Sequence, residues 1–165
     1  MAIFFPNQSI QELNSNINVS GSSIVQIVEQ RSTATLSCAN WNTGNFLFSA
    51  TITPTSTASS ILVYAYMPYR MDAGAGKWSL GYYTVTRSGG PTIITSGWGG
   101  TWRNVIGNME KTYLDSPATT STVTYNVYVY NFPAEDPQTT LCYWNNSTQN
   151  ASDGYAYLRL TEISG

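Results

Sequence analysis

Glu135-Asp136, held between Pro133 and Pro137, is the one place in the chain where two carboxylates adjoin. Paired carboxylates are what glycoside hydrolysis requires, set roughly 5–10 Å apart across a cleft. This pair lies instead in a proline-flanked stretch that reads as an exposed loop. The other seven carboxylates (Glu12, Glu29, Asp72, Glu110, Asp115, Asp153 and Glu162) are scattered. There is no histidine at all, which removes the usual general base and the commonest metal ligand together. Asp72-Ala73-Gly74-Ala75-Gly76 is glycine-rich, but it lacks the Lys-Ser/Thr and the helix that complete a phosphate cradle. Asn146, Asn150 and Asp153 are the nearest approach to the clustered oxygens that calcium needs. The sequence therefore reads as a non-enzyme with no catalytic residues, no metal and no cofactor.

Two cysteines, Cys38 and Cys142, complete the inventory of reactive groups. Each lies in a strand-like segment, and two isolated cysteines do not make a disulfide framework. Two buried free thiols are favoured over a bridge between them, because free cysteine behaves as a small apolar residue, and the bridge stays open as the alternative. Trp98 and Trp102 flank Gly99-Gly100-Thr101 and mark a candidate ligand loop. Aromatic residues there either plug the end of a sandwich or stack on a sugar ring.

Charge sets further limits. Seven Lys plus Arg against nine Asp plus Glu leave a net charge of −2, and only 10% of residues are charged. Phosphate backbones are bound by an excess of cations, so nucleic acid is excluded as a partner. No apolar stretch approaches the roughly 20 residues of a membrane helix, and the N-terminus lacks the basic start and apolar run of a signal peptide. No membrane partner is expected.

The elements that must carry these residues are strands. Twelve tyrosines and abundant Thr and Val favour a pleated, half-buried surface. Segments at 24–29, 33–38, 46–53, 60–67, 80–87, 92–95, 102–107, 122–131, 140–144 and 155–163 are separated by turn chemistry such as Ser88-Gly89-Gly90-Pro91. About 8–10 strands without a sustained helical stripe point to an all-β antiparallel sandwich or barrel. The best helical candidate, 105–113, contains Gly107 and has no such stripe. Residues 1–22 lack strand alternation and read as an extended N-terminal arm, leaving 23–165 as one domain. Ile3, Phe4 and Phe5 at the start of that arm want a partner surface, and the polar stretch behind them can span roughly 50 Å.

Three strands carry tyrosines opposite an apolar face. Val123, Tyr125, Val127 and Val129 alternate with Tyr128 and Tyr130; Ile61, Val63 and Ala65 alternate with Tyr64 and Tyr66; Ala156, Leu158 and Leu160 alternate with Tyr155 and Tyr157. A tyrosine face opposite a core face suits a subunit interface, because the ring is apolar and its tip polar. The interface set is thus Tyr64, Tyr66, Tyr128, Tyr130, Tyr155 and Tyr157.

The stretch Tyr113-Leu114-Asp115-Ser116-Pro117-Ala118-Thr119-Thr120-Ser121-Thr122-Val123-Thr124-Tyr125 is followed by Asn145-Asn146-Ser147-Thr148 and Leu158-Arg159-Leu160-Thr161-Glu162-Ile163. On its own chemistry, Asp115-Ser116-Pro117 is a turn, with Asp115 capping its own backbone, and a Thr-rich strand follows. Over about residues 110–165 the pattern resembles small virion structural proteins of tailed phages, especially those of cyanobacteria. The resemblance implies a jelly roll similar to complement C1q or tumour necrosis factor domains, assembly as a homotrimer, and location in the virion. Two roles follow from it. One is a head decoration (cement) protein whose arm (Ile3, Phe4, Phe5) anchors it on the major capsid protein or another virion protein. The alternative is the tip of a tail fibre or spike, binding a receptor or a host-surface glycan.

Overall fold

A strand that alternates apolar and polar side chains can bury only one face. In the computed structural model, that alternation builds two antiparallel sheets packed face to face. The structure describes residues 23–34, 36–38, 44–73, 79–96, 99–101, 105–133, 140–144 and 155–165. Their strands are β1 (Ile24–Ser32), β2 (Leu36–Cys38), β3 (Asn45–Ile52), β4 (Ser60–Ala73), β5 (Ser79–Arg87), β6 (Thr92–Thr95), β7 (Gly99–Thr101), β8 (Val105–Asp115), β9 (Val123–Pro133), β10 (Thr140–Trp144) and β11 (Ala156–Ile163).

The first sheet has the order β1-β11-β4-β10-β2, with β8 on the other flank of β4; the second has the order β3-β9-β5-β6, with β7 also on β5. Setting aside β2, β7 and β10, four strands (β1-β11-β4-β8) face four (β3-β9-β5-β6), and the chain changes sheet at every connection except β5 to β6. That is the eight-stranded jelly roll of two Greek keys. The expected all-β jelly-roll sandwich is what the strand order gives.

The core lies between the sheets. Ile61, Val63, Ala65 and Met67 of β4, with Leu158 and Leu160 of β11, meet Tyr83 and Val85 of β5 and Tyr125, Val127 and Val129 of β9, all with no exposed surface. Each large side chain so buried contributes about 1.5–3 kcal/mol. The core-facing parity expected for β4, β9 and β11 is the one observed.

Three expectations fail, each for a physical reason. The segment expected at 60–67 continues through Pro68 to Ala73 as β4. On one flank, β4's pairing with β11 stops at Tyr66 and its pairing with β10 starts at Tyr69, so Pro68 falls in the gap between two partners. A missing N–H is tolerated there. The strand expected at 102–107 is instead β8, which runs from Val105 to Asp115. It borders the sheet, and Lys111, Tyr113 and Leu114 are exposed on both of its faces, so no alternation announces it. Asp115 does not cap a turn. It ends β8 opposite Ile61 and is buried.

Candidate interaction surface

The outer face of the β1-β11-β4-β8 sheet carries three cross-strand rows. The registers align Ile27, Thr161, Leu62 and Leu114 in one row, Glu29, Arg159, Tyr64 and Thr112 in the next, and Arg31, Tyr157, Tyr66 and Glu110 in the third. The first row is largely apolar and open to solvent at its ends, with Ile27 37% and Leu114 55% exposed. The other two form a belt of tyrosines, arginines and carboxylates.

Tyr157 sits at the centre of that belt. Its ring centroid lies 5.2 Å from Tyr66 in a stacked arrangement, 5.6 Å from Tyr64 and 6.0 Å from Tyr155. The Arg159 guanidinium lies 5.7 Å from the Tyr157 ring, and that of Arg31 lies 4.5 Å from the Tyr155 ring. Glu29 ties the two arginines together. Arg31 Nε donates to Oε1 at 2.7 Å, while Arg159 Nη2 and Nε donate to Oε2 at 2.8 and 3.0 Å. These donations, from Arg159 first and Arg31 second, hold the Glu29 carboxyl below its usual range. On the other side, the Tyr64 hydroxyl donates to Glu110 Oε2 at 2.8 Å, and Asn108 Nδ2 donates to the Tyr66 hydroxyl at 3.4 Å. Burial, then the bond to Glu110, pushes the Tyr64 hydroxyl's pKa up, so it stays a donor across the neutral range.

Magnitudes bound what the belt contributes to the fold. The side chains of Arg31 and Arg159 are 59% and 49% exposed, and ion pairs this open to solvent contribute little to folding. The contacts therefore do little for stability, and their effect is to fix the rotamers of long side chains. Tyrosine and arginine are among the residue types enriched at protein interfaces.

Two buried polar clusters hold the frame beneath. Asp115 accepts from Arg87 Nη1 at 3.0 Å on each of its oxygens, and from the Tyr125 hydroxyl at 2.8 Å on Oδ2. This joins β8 to β5 and β9 across the two sheets. Burial first, and the bond to Asp115 second, raises the pKa of the Tyr125 hydroxyl and keeps it protonated. At the core's other margin Glu162 is fully buried. Its Oε2 accepts from Gln26 Nε2 at 2.6 Å, and its Oε1 accepts from Thr55 N and Oγ1, both at 2.7 Å. Burial by itself would raise the pKa of this carboxyl, but the donated hydrogen bonds outweigh it and hold the group below the usual range. A polar cleft of about 320 Å³ lies beside Arg87, lined by Ser88, Gly90, Pro117, Thr119 and Thr124 among others.

The expected interface residues do not share one face. Tyr64, Tyr66, Tyr155 and Tyr157 meet in the belt, whereas Tyr128 and Tyr130 lie on β9, in the opposite sheet. There Tyr128 meets Phe46 edge-on at 5.9 Å, and Tyr130 stacks on Tyr82 at 4.4 Å with 3° between the planes. A Cβ on Gly44 would come within 2.5 Å of the Tyr130 ring, so this ring is packed against its own backbone. No flat contact can contain all six tyrosines, because strand parity is blind to which sheet a strand joins. Arg31, Arg159, Glu29 and Glu110 were missed. The signal was present, since Glu29 and Arg31, like Tyr157 and Arg159, are spaced by two and so share a face. Ile3, Phe4, Phe5, Trp98 and Trp102 lie outside the described residues, as do Glu135, Asp136, Asn146, Asn150 and Asp153. Among the described residues no three His, Cys, Asp or Glu side chains group as metal ligands.

No family model matches the chain, and no curated protein does. Among solved structures it is similar to infectious bursal disease virus, Gx strain (TM-score 0.47, 13% identity, 86% of this chain and 38% of that one). It is also similar to a mutant VP2 protein of the same virus in T=1 particles (0.48, 12%, 86% and 40%) and to a VP2 subviral particle (0.46, 11%, 86% and 40%). The chain spans about two fifths of the length of each of these proteins. The jelly-roll assignment stands on the strand order given above.

Proposed function

We propose that this chain is a non-enzymatic virion structural protein, a homotrimeric head decoration protein that docks on a capsid shell. The observation that carries the reading is the belt of Tyr64, Tyr66, Tyr155, Tyr157, Arg31 and Arg159, fixed by Glu29 and Glu110 on one open sheet face. The apolar row beside it, from Ile27 to Leu114, supplies area that a second subunit would cover. The resemblance of residues 110–165 to small phage proteins supports the virion location, and the arm with Ile3, Phe4 and Phe5 is assigned the docking on the shell.

Tyr157 is the residue to test, since the other belt aromatics surround it. Tyr157→Asp would remove the ring at the centre of the belt and weaken assembly by about 2–5 kcal/mol. Sedimentation at micromolar concentration should show a trimer for the wild type and a folded monomer for the variant. A monomeric wild type, or a trimeric variant, would refute the interface. Deleting residues 1–20 should leave trimers that no longer bind particles. Copy number in purified virions tests the location, with hundreds expected for a shell protein and a few dozen or fewer for a fibre.

A second reading, the receptor-binding tip of a fibre or spike, is favoured by the hydroxyl-lined cleft at Ser88, Thr119 and Thr124. Binding on a glycan array that is lost in Thr119→Ala would support it.

A further inference from the structure

The chain's two cysteines are far apart in sequence, yet the fold sets them at the same place. Strand β2 is three residues long and pairs with β10 in the register Leu36 to Trp144, Ser37 to Tyr143 and Cys38 to Cys142. Directly opposite residues of an antiparallel pair share one face of the sheet, with Cα atoms about 4.5 or 5.5 Å apart according to the kind of pair. Both spacings fall inside the roughly 4.4–6.8 Å that disulfides bridge. We infer that Cys38 and Cys142 form an intramolecular disulfide, the alternative to two free thiols that the sequence leaves open.

The bond has a mechanical reason to exist. β2 ends the strand order of its sheet and is held by three residue pairs, so the pairing alone is marginal. A slip of one residue would move every side chain of β2 to the other face. A covalent link at Cys38 fixes the register and closes a loop of about 100 residues, a length at which a crosslink strongly restricts the unfolded chain. With oxidised glutathione as oxidant, one thiolate attacks its disulfide and releases one glutathione, leaving a mixed disulfide. The second cysteine's thiolate then displaces the other glutathione. Two protons and two electrons leave the protein, and the oxidant is reduced to two thiols.

The test is to refold the full chain with oxidised and reduced glutathione, trap free thiols by alkylation, and map peptides without reduction. The expected product is one chain lighter by two hydrogen atoms, with the Cys38 peptide joined to the Cys142 peptide. Reduction should lower Tm by roughly 10 °C, and Cys38→Ser, Cys142→Ser and the double variant should all match the reduced wild type. Both cysteines alkylated, each capped by glutathione, or joined between chains would overturn the assignment. A joined peptide whose reduction leaves Tm in place would overturn the clamp.

Discussion

Replacing Glu162 by glutamine should cost about 2–4 kcal/mol at neutral pH, although the two side chains have nearly the same shape. The carboxylate accepts three hydrogen bonds with no exposed surface. Bonds to a charged acceptor contribute about 1.5–3 kcal/mol each against about 0.5–1.5 for neutral ones, so neutralising it forfeits about 1 kcal/mol per bond. Glutamine also brings a donor nitrogen. With its oxygen facing Thr55, its nitrogen meets Gln26 Nε2, a donor already committed to Thr53 O at 2.7 Å. The effect should follow pH in a definite sense. The folded-state pKa of Glu162 lies below its ordinary value of 4.5, so the unfolded chain takes up the proton first on acidification. Its stabilisation is complete above that ordinary value and is lost as pH falls through the lower, folded-state value. Glu29 is lowered too, so the wild type's acid limb carries both groups and the variant keeps only the share of Glu29. Urea unfolding followed by far-ultraviolet circular dichroism, from pH 7 to about 3 at one fixed protomer concentration, measures the difference. A Glu162→Gln curve parallel to the wild type below pH 5, or a loss under about 1 kcal/mol at pH 7, would refute the reasoning.

Two further outcomes follow from the frame. Tyr125→Phe should cost about 1.5–3 kcal/mol and Asp115→Ala about 3–5, because the second leaves the part-buried Arg87 and the buried Tyr125 hydroxyl unpaired. Their double-mutant cycle in urea should show coupling above about 0.5 kcal/mol, and additivity would sink the network. Lys111 stands opposite the buried Ala65 but is itself exposed, a charge on the core-facing side of a bordering strand, which discourages sheet-to-sheet pairing. Lys111→Val should therefore raise light scattering at pH 7 in a concentration-dependent way; scattering equal to wild type would show that the border is protected by other means.

How much the sequence reveals depends on whether a strand is covered on one side. β4, β9 and β11 each have one buried face, so Val63, Val127 and Leu158 betray them by simple alternation. β8 is exposed on both faces along Lys111, Tyr113 and Leu114, and nothing in its pattern separates it from a loop. Tyr64, Tyr66, Tyr155 and Tyr157 were legible as a face, but their separation from Tyr128 and Tyr130 depends on which strands share a sheet. That is decided by pairings between residues far apart in the chain. The same holds for Asp115, whose partners Arg87 and Tyr125 come from two other strands, and for the meeting of Cys38 with Cys142.

The pairing of β1 with β11 also dictates a timetable. Ser23 and Ser164, 141 positions apart, are joined through their backbones and hydroxyls, and the whole of β1 lies along the last strand of the chain. During synthesis β1 emerges ahead of the other described strands and waits for its partner until the segments between them have been made. Until then β4 lacks β11 as well, so two strands stand with open edges on the nascent chain. Such distant closure makes folding slow, on the order of milliseconds to seconds. The docking of β11 closes both edges and carries Glu162 to Gln26 and Thr55. A chain cut short before residue 156 would leave β1 and β4 without this partner.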